Sequence, residues 1–252
     1  MSDASTDAPL DDALDEFPTD WSRALAVAAH PDDLEYGAAS AIARWTNEGR
    51  EVVYLLVTRG EAGIQDMRPE ECGPIREQEE RTGAALVGVD TVEFLDGYRD
   101  GLVEYGIPLR RDLAAAIRRH RPELVVSINF RDFWRPGSPM NHVDHREVGR
   151  ALVDAVRDAA NRWVFPELAA AGLEEWHGTR YVAFSGSPEP THAVDVTGFL
   201  DRGIASLREH RAYLEGLGGA MADPDTFLRQ YADEVGRRQG VEHAVAFEVL
   251  PA

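Results

Sequence analysis

Short apolar stretches rich in valine, leucine and alanine alternate along the chain with longer segments in which apolar residues recur at helical spacing. A short run of β-prone residues predicts a buried strand, whereas recurrence every three or four residues predicts an amphipathic helix. Predicted strands cover residues 24–29, 52–57, 91–95, 124–128, 181–185, 193–196 and 244–250, and predicted helices cover 34–47, 75–87, 108–120, 143–160, 197–215 and 224–238. This alternation favours an α/β fold, with a single domain built on a Rossmann-like, mostly parallel sheet that has helices on both faces.

Two polar motifs lie close behind predicted strands. The first strand runs directly into HPDD, residues 30–33, and the irregular loop after the fourth strand leads into HVDH, residues 142–145. In open α/β sheets, ligands bind outside the carboxyl ends of the strands. We therefore expect both motifs at the same edge of the sheet, although more than a hundred residues separate them.

The first motif combines metal-ligand chemistry with an additional carboxylate. Zinc accepts imidazole nitrogen and carboxylate oxygen, and a catalytic zinc takes three protein ligands while keeping one position for water. His30 and Asp33, separated by a turn that contains a proline, can supply two of these ligands. Asp32 can then take a proton from the bound water. The alternative is structural, because an aspartate pair after a strand is also a common helix N-cap.

The second motif places two histidines at the start of a predicted helix. His142 and His145 are three positions apart and lie on one face, so both can point at one site. His145 can complete a set of two histidines and one carboxylate, and His142 can act beside the metal as an acid or an oxyanion donor. Asp144 can orient His142 or bond another residue near the metal. Helix capping by Asn141 and Asp144 is the alternative, but two such clusters at one sheet edge favour a metal site.

The ends and the cysteine content restrict the class of protein. The first 20 residues contain seven acidic side chains and no basic one, which predicts an acidic tail over residues 1–20 and a folded domain over 21–252. The tail lacks the basic start and apolar middle of a signal peptide, and no stretch approaches the roughly 20 apolar residues of a membrane span. Cys72 is the sole cysteine and rules out an intramolecular disulfide. A cytoplasmic enzyme is the expectation.

The charge of the chain bears on its partners. A formal net charge of −19 argues against nucleic acid and anionic membranes, because phosphates would be repelled. The chain contains no lysine, which excludes lysine nucleophiles, Schiff bases and a P-loop lysine. The G-x-G-x-x-G and G-x-S-x-G signatures of dinucleotide sites and α/β-hydrolases are also missing. A small molecule is the expected partner, and assembly into a homo-oligomer stays open.

Further segments support the two motifs. In order, the chain reads AHPDDLEYG, LLVTRGEAG, IREQEERTGAALVGV, FLDGYRDG and NHVDH. Together they resemble the PIG-L (LmbE-like) family of N-deacetylases, from about residue 24 to 156 and more loosely to 210. The resemblance implies a Rossmann-like fold with zinc (or Fe²⁺ or another divalent metal) at His30, Asp33 and His145. It also implies removal of an acyl group, such as acetyl, from an N-acetylated amino sugar or a glycoconjugate such as one of N-acetylglucosamine.

The same resemblance implies roles for individual side chains. Asp32 would be the general base, and His142 with Asp144 would polarise the scissile carbonyl. Arg59, in TRGE, and Asp100, in YRDG, match positions that contact the sugar in some family members. The expected chain of events is that zinc lowers the pKa of its bound water to about 7. Asp32 removes the proton, and the metal with a protonated His142 stabilises the oxyanion.

Several interpretations remain open at this stage. Arg59 suits a sugar hydroxyl, phosphate or carboxylate because its planar fork makes paired hydrogen bonds, and a surface ion pair with Glu61 is the alternative. Arg76 and Glu79, one helical turn apart, are expected to form a structural pair. Trp134 can cover a sugar or anchor its loop. The rival functions are a metal-binding regulatory protein without turnover and a non-haem iron oxygenase, which also uses two histidines and one carboxylate.

Overall fold

One continuous sheet runs through the protein. The computed structural model describes residues 13–135 and 137–252, and within these residues eight strands form the sheet. The strands are β1 Asp15–Glu16, β2 Arg23–Ala28, β3 Glu51–Leu56, β4 Thr91–Phe94, β5 Leu124–Ile128, β6 Tyr181–Ser185, β7 His192–Asp195 and β8 Ala244–Pro251. Their order is β1-β7-β8-β6-β5-β2-β3-β4, and the pairings are parallel except those of β8 with β6 and β7. The predicted α/β fold with a mostly parallel sheet is confirmed.

Helices cover both faces of this sheet. They are α1 Asp33–Gly37, α2 Ala39–Asn47, α3 Pro69–Leu86, α4 Ile107–His120, α5 Val143–Ala159, α6 Pro166–Ala170, α7 Leu200–Arg208, α8 Arg211–Leu217 and α9 Pro224–Gln239. Alternate side chains of β2 enter two different cores: Leu25 and Val27 pack with residues of α4 and α5, whereas Ala26 and Ala28 pack with residues of α2 and α3. Because strand side chains alternate between faces, a strand buried on both sides has a continuous apolar sequence.

Three helix boundaries differ from the predictions. The predicted helix 34–47 is divided at Ala38, beside Gly37, where a Cβ atom would collide with the side chain of Ser185. The helix predicted from residue 75 begins at Pro69, which suits the first helical position because its missing N–H is not needed there. The predicted helix 197–215 is divided before His210, whose side chain is buried.

The predicted acidic tail ends earlier than residue 20. Residues 15 and 16 form β1, which pairs in parallel with β7. Phe17 is buried against Trp45 and Phe247, with ring centroids 5.1 Å apart in both pairs. The acidic composition of this segment gave no sign of the short edge strand or of the buried Phe17. The predicted boundary between tail and folded domain at residue 20 is therefore wrong, because residues 15–17 belong to the folded domain. Residues 1–12 of the predicted tail lie outside the described residues.

The sheet changes direction of winding beside β2. This strand pairs with β3 on one side and with β5 on the other, so the chain continues outward in both directions from it. Such a switch point leaves a crevice at the carboxyl ends of the two central strands. The loops after β2 and β5 carry the HPDD and HVDH motifs. Among the described helices, none has the length and apolar content needed to cross a bilayer.

Candidate active site

The turn after β2 positions the first motif. Asp33 Oδ2 accepts hydrogen bonds from the backbone N–H groups of Ala29 (3.1 Å) and His30 (2.9 Å). Asp32 has a φ of 95°, a conformation that is rare for residues other than glycine. Its backbone N–H donates to Glu80 Oε2 at 3.2 Å. These bonds hold the turn in a conformation that keeps the side chains of His30, Asp32 and Asp33 at the sheet edge.

The start of α5 positions the second motif. His142 is the N-cap residue, and its Nδ1 accepts a hydrogen bond from the backbone N–H of Asp144 at 3.2 Å. The ring of His142 lies 5.0 Å from that of His30 and 5.3 Å from that of His145, measured between centroids. The structure thus brings together the two motifs that the sequence placed at one edge of the sheet.

Three potential ligand side chains converge between the motifs. His30 Nδ1 lies 3.2 Å from His145 Nε2, which in turn lies 3.0 Å from Asp33 Oδ1. His30 Nδ1 and Asp33 Oδ2 are 3.6 Å apart. Ligands bound tetrahedrally to one zinc ion are roughly 3.3 Å from one another, given bond lengths of about 2.0–2.2 Å. The separations of these three side chains therefore fit a divalent cation placed between them.

The other nitrogen of His30 is held by two carboxylates. His30 Nε2 lies 3.0 Å from Asp144 Oδ2 and 3.1 Å from Asp100 Oδ1. Because carboxylates accept, they assign the ring proton to Nε2 and leave the Nδ1 lone pair for a cation. Asp144 also accepts from the backbone N–H groups of Gly101 (2.7 Å) and Val103 (3.1 Å). Asp144 is therefore a positioning residue for His30, in addition to its backbone contact with His142.

Asn141 performs the same task for His145. His145 Nδ1 lies 2.9 Å from Asn141 Oδ1, and Asn141 Nδ2 donates to the backbone carbonyls of Asn129 (2.7 Å) and Arg131 (3.0 Å). The two carbonyls fix the orientation of the amide, so its oxygen accepts the Nδ1 proton and the Nε2 lone pair remains free. The sequence analysis assigned Asn141 only a capping role, and its position four residues before His145 was the available signal.

The electrostatics of the ligand group favour a positive charge. Burial lowers the pKa of His30, but Asp33, Asp100 and Asp144 together raise it well above the usual range of histidine. Burial raises the pKa of Asp33, yet His145 and His30 hold it well below the usual range of a carboxyl. His30, Asp33 and His145 thus include an ionised carboxylate, Asp33, and an imidazole, His30, whose surroundings stabilise a positive charge.

A buried arginine, missed by the sequence analysis, holds Asp32. Arg76 Nη2 donates to Asp32 Oδ1 at 2.6 Å and also contacts the carbonyl oxygen of Pro31. Its guanidinium lies over the ring of Tyr213, 4.2 Å from the centroid. Burial raises the pKa of Asp32 to about 6, although Arg76 acts in the opposite direction. The expected structural pair of Arg76 with Glu79 is wrong, because the packing of α3 turns Arg76 towards the turn after β2.

His142 faces the same pocket in its neutral form. Burial, and then the nearby His30 and His145, lower the pKa of His142. Its Nδ1 accepts from a backbone N–H, so the ring proton resides on Nε2. The expected protonated His142 is therefore corrected to a neutral ring with a single N–H donor.

The motifs form the floor of a pocket of about 280 Å³. Tyr36, Tyr213 and Trp134 supply aromatic walls, and Asp100 and Arg76 supply polar ones. The ring of Trp134 lies 5.9 Å from that of His145. The pocket therefore combines apolar surfaces with a few polar groups at one end, as small-molecule sites do.

Arg59 is directed elsewhere. Its Nε lies 3.2 Å from Glu77 Oε2, and its Nη2 lies 3.0 Å from Asp96 Oδ1. Its Nη1 donates to the carbonyl oxygen of Leu95 at 3.1 Å. Glu61, the partner considered from the sequence, accepts from the backbone N–H groups of Arg59 and Asp100 and, within the described residues, forms no hydrogen bond with the Arg59 guanidinium. These partners hold the guanidinium of Arg59 outside the pocket. The residues that line the pocket include Arg76 and do not include Arg59.

The fold and this site define an α/β protein with a candidate metal centre at the topological switch point. Comparison with known proteins agrees. The PIG-L family model, described as GlcNAc-PI de-N-acetylase, matches residues 25–156. Diacetylchitobiose deacetylase of Thermococcus kodakarensis is 28% identical over 244 residues, which cover 96% of this chain and 88% of that protein. The 1D-myo-inositol 2-acetamido-2-deoxy-alpha-D-glucopyranoside deacetylase of Acidothermus cellulolyticus is 30% identical, with 74% and 77% covered.

A solved structure shows the same architecture. N,N'-diacetylchitobiose deacetylase from Pyrococcus horikoshii, in complex with its inhibitor MPG, superposes with a TM-score of 0.82 at 26% identity. The superposition covers 92% of this chain and 85% of that one. The family model spans more than half of the present sequence, and the chain belongs to the PIG-L family. The membership predicted from the five sequence segments is confirmed.

Proposed function

We propose that the protein is a divalent-metal-dependent N-deacetylase that removes the acetyl group from an N-acetylated amino sugar or its conjugate. The observation that carries the proposal is the convergence of His30, Asp33 and His145 within 3.0–3.6 Å at the floor of the pocket. The relatives named above are deacetylases of N-acetylated sugars, which supports hydrolysis of a C–N bond other than a peptide bond.

These three side chains would hold the cation, with zinc as the proposed metal. Two imidazoles and one carboxylate form a common ligand set for a catalytic zinc. When bound, zinc supplies a Lewis acid and a water whose pKa falls to about 7. The hydrogen bonds of His30 with Asp144 and of His145 with Asn141 orient the imidazoles for this task.

Asp32 is the proposed general base. Arg76 fixes its Oδ1, which leaves Oδ2 to accept the proton of the attacking water. The positive φ of Asp32 and the bond from its N–H to Glu80 keep the side chain in the pocket. The raised pKa of Asp32 makes it a stronger base than an ordinary aspartate towards the attacking water, and the proton it takes up can then pass to the leaving amine.

His142 is the proposed donor to the carbonyl oxygen. Its Nδ1 is occupied by the backbone, so its Nε2–H is the group that can donate to the substrate. Negative charge develops on the carbonyl oxygen as the tetrahedral intermediate forms, and a preoriented donor stabilises that charge more than it stabilises the ground state. A neutral histidine can perform this function without a change of protonation.

The pocket suits one amino-sugar ring. Asp100 lines the pocket and is proposed to accept from a sugar hydroxyl, whereas Arg59 is occupied outside it. Trp134 and Tyr213 offer flat apolar surfaces of the kind on which sugar rings pack. We propose N-acetylglucosamine conjugates as the substrate class, and a cytoplasmic location remains a prediction.

The test compares metal content and acetate release for the wild type and Asp32→Asn. Substrates are N-acetylglucosamine, N,N'-diacetylchitobiose and the inositol conjugate of N-acetylglucosamine. We expect wild-type turnover, and a loss of about a hundredfold or more in Asp32→Asn with metal retained. Asp90→Asn, at an exposed position away from the pocket, is the matched control. Wild-type protein that stays metal-free after zinc is supplied, or full activity in Asp32→Asn, would contradict the proposal.

A further inference from the structure

A second group of potential metal ligands lies behind Asp32, outside the pocket. It consists of Glu35 on α1, Glu80 on α3 and His210 between α7 and α8, and we call it the buried Glu–Glu–His cluster. The three residues are 1%, 0% and 0% exposed, respectively. One ligand atom from each lies within 4.8 Å of the other two. None of the three lines the pocket, so the group is separate from the candidate active site.

The cluster leaves polar atoms without partners. His210 Nε2 lies 3.7 Å from Glu35 Oε2 and 3.8 Å from Glu80 Oε2, which is too far for a hydrogen bond. Among the described residues, both nitrogens of His210, Glu35 Oε2 and Glu80 Oε1 have no hydrogen-bond partner. The nearby Tyr54 hydroxyl is also unpaired. Buried polar atoms are almost always satisfied, so a group of this size indicates a missing ligand.

The spacing of these atoms fits a cation. Three ligands arranged in a plane around an ion at about 2.1 Å lie roughly 3.6 Å apart, close to the two separations that involve His210. Within the described residues, Glu35 Oε1 accepts from the Ser206 hydroxyl (3.3 Å) and Glu80 Oε2 accepts from the Asp32 N–H (3.2 Å). Glu35 Oε2 therefore remains available as a ligand, and Glu80 can bind through Oε2 beside its bond with the Asp32 N–H or through the unpaired Oε1.

The charges also fit a divalent ion. Burial raises the pKa of Glu35 to about 8 and that of Glu80 well above the usual range of a carboxyl, so the two side chains hold protons that a divalent ion would displace on binding. Arg76, the nearest buried cation to the turn, is engaged by Asp32 and the carbonyls of Pro31 and Gly60. His210 is neutral, because burial lowers its pKa to about 3, and a neutral imidazole offers a lone pair to a metal. One divalent ion would balance the two carboxylates.

We infer that Glu35, Glu80 and His210 form a second, structural site for a divalent cation such as zinc. The site is closed to solvent and would be filled as the protein folds. It also bears on the active site, because Glu80 accepts from the backbone N–H of Asp32 and so connects the ion to the turn that carries the base. The inference uses residues other than the proposed catalytic ligands and stands independently of the proposed reaction.

Metal stoichiometry by elemental analysis tests the inference on full-length protein produced with zinc supplied. We expect about two zinc ions per chain in the wild type and about one in Glu80→Gln and in Glu35→Gln. His145→Ala, which removes a ligand of the pocket site only, is also expected to retain about one. Glu77→Gln is the matched control, since it makes the same change on α3 at a residue that pairs with Arg59 and Arg81, and it is expected to retain about two.

Two other stoichiometries would contradict one of the two sites. One ion per chain in the wild type, unchanged in Glu80→Gln and lost in His145→Ala, would overturn the second site while leaving the pocket site intact. The carboxyl pair would then hold a proton or a water molecule. One ion that is lost in Glu80→Gln and kept in His145→Ala would support the buried site and contradict the pocket site.

Chelator kinetics provide a second measurement that needs no variant at the cluster. We expect zinc to leave the wild-type protein in two phases under a chromophoric chelator, a fast one from the open pocket and a slow one from the closed cluster. His145→Ala should show only the slow phase. A single fast phase that releases all of the zinc would overturn the inference, even if Glu80→Gln and Glu35→Gln fail to fold.

Discussion

His30 Nε2 lies 3.0 Å from Asp144 Oδ2, although 114 residues separate the two in the chain. Asp144 belongs to the HVDH motif, yet its carboxylate serves the histidine of the other motif. The same carboxylate accepts hydrogen bonds from the backbone N–H groups of Gly101 and Val103, which fixes it to the segment between β4 and α4. The two motifs are thus joined by a hydrogen bond between their side chains.

Asp144→Asn is expected to weaken zinc binding by about 10–100-fold, as is typical for residues that orient a ligand histidine. The amide NH₂ group would meet an N–H donor, either from His30 or from the backbone. Competition with a chromophoric chelator measures the affinity. Asp154→Asn is the control, because Asp154 lies on the same helix and accepts from Tyr105 at the surface. Equal affinities for the two variants would show that Asp144 does not orient His30.

Arg76→Met is expected to move the acidic limb of the pH–activity profile to higher pH. A general base works deprotonated, so activity is lost as the pH falls through the pKa of Asp32. The positive charge of Arg76 lowers that pKa, so its removal raises the pKa, and the limb should shift upward by about one pH unit or more. An unshifted limb in a metal-loaded Arg76→Met enzyme would exclude Arg76 as the partner of the base.

Arg59→Met is the matched control for that profile. Arg59 pairs with Glu77 and Asp96 outside the pocket, so neither the acidic limb nor KM should change appreciably. A large increase in KM for this variant would instead show that Arg59 contacts the sugar, as the family resemblance implied.

Trp134→Ala is expected to raise KM roughly tenfold with little change in kcat, because the indole offers uniform binding surface and takes no part in bond cleavage. The effect should be larger for N,N'-diacetylchitobiose than for N-acetylglucosamine if the ring supports the second sugar. Steady-state kinetics on both substrates provide the measurement. Trp163→Ala is the control, since Trp163 is 80% exposed and does not line the pocket. Equal KM and kcat values for Trp134→Ala and Trp163→Ala would show that Trp134 does not contact the substrate.

Phe17→Ala is expected to lower the free energy of unfolding by about 3–5 kcal/mol, the usual cost of truncating a buried phenylalanine. The ring is 4% exposed and packs on Trp45 and Phe247. Urea denaturation measures the change. Phe133→Ala, at a ring that is 46% exposed, should stay within about 0.5 kcal/mol of wild type. A similarly small change in the free energy of unfolding for Phe17→Ala would show that residues 13–20 do not pack against the domain and belong to the acidic tail.

The sequence alone predicted the alternation of the longer strands and helices along the chain and the edge of the sheet at which the two motifs lie. Both depend on local patterns: apolar runs specify strands that are buried on both faces, and parallel strands necessarily end at the same edge. The sequence therefore places the HPDD and HVDH motifs at the same edge of the sheet. The same patterns could not reveal β1, because a two-residue edge strand within an acidic segment has no apolar run of its own.

Only the tertiary structure decided which side chains meet. Spacing along α3 predicted that Arg76 would pair with Glu79. In the structure Arg76 is buried against the turn after β2 and forms an ion pair with Asp32. Spacing in HVDH left open whether Asp144 would orient His142 or bond another residue near the metal, and in the structure its carboxylate accepts from His30. A buried charge takes whichever partner satisfies it once several elements have packed together. That choice depends on distances across the whole fold, which no local pattern in the chain contains.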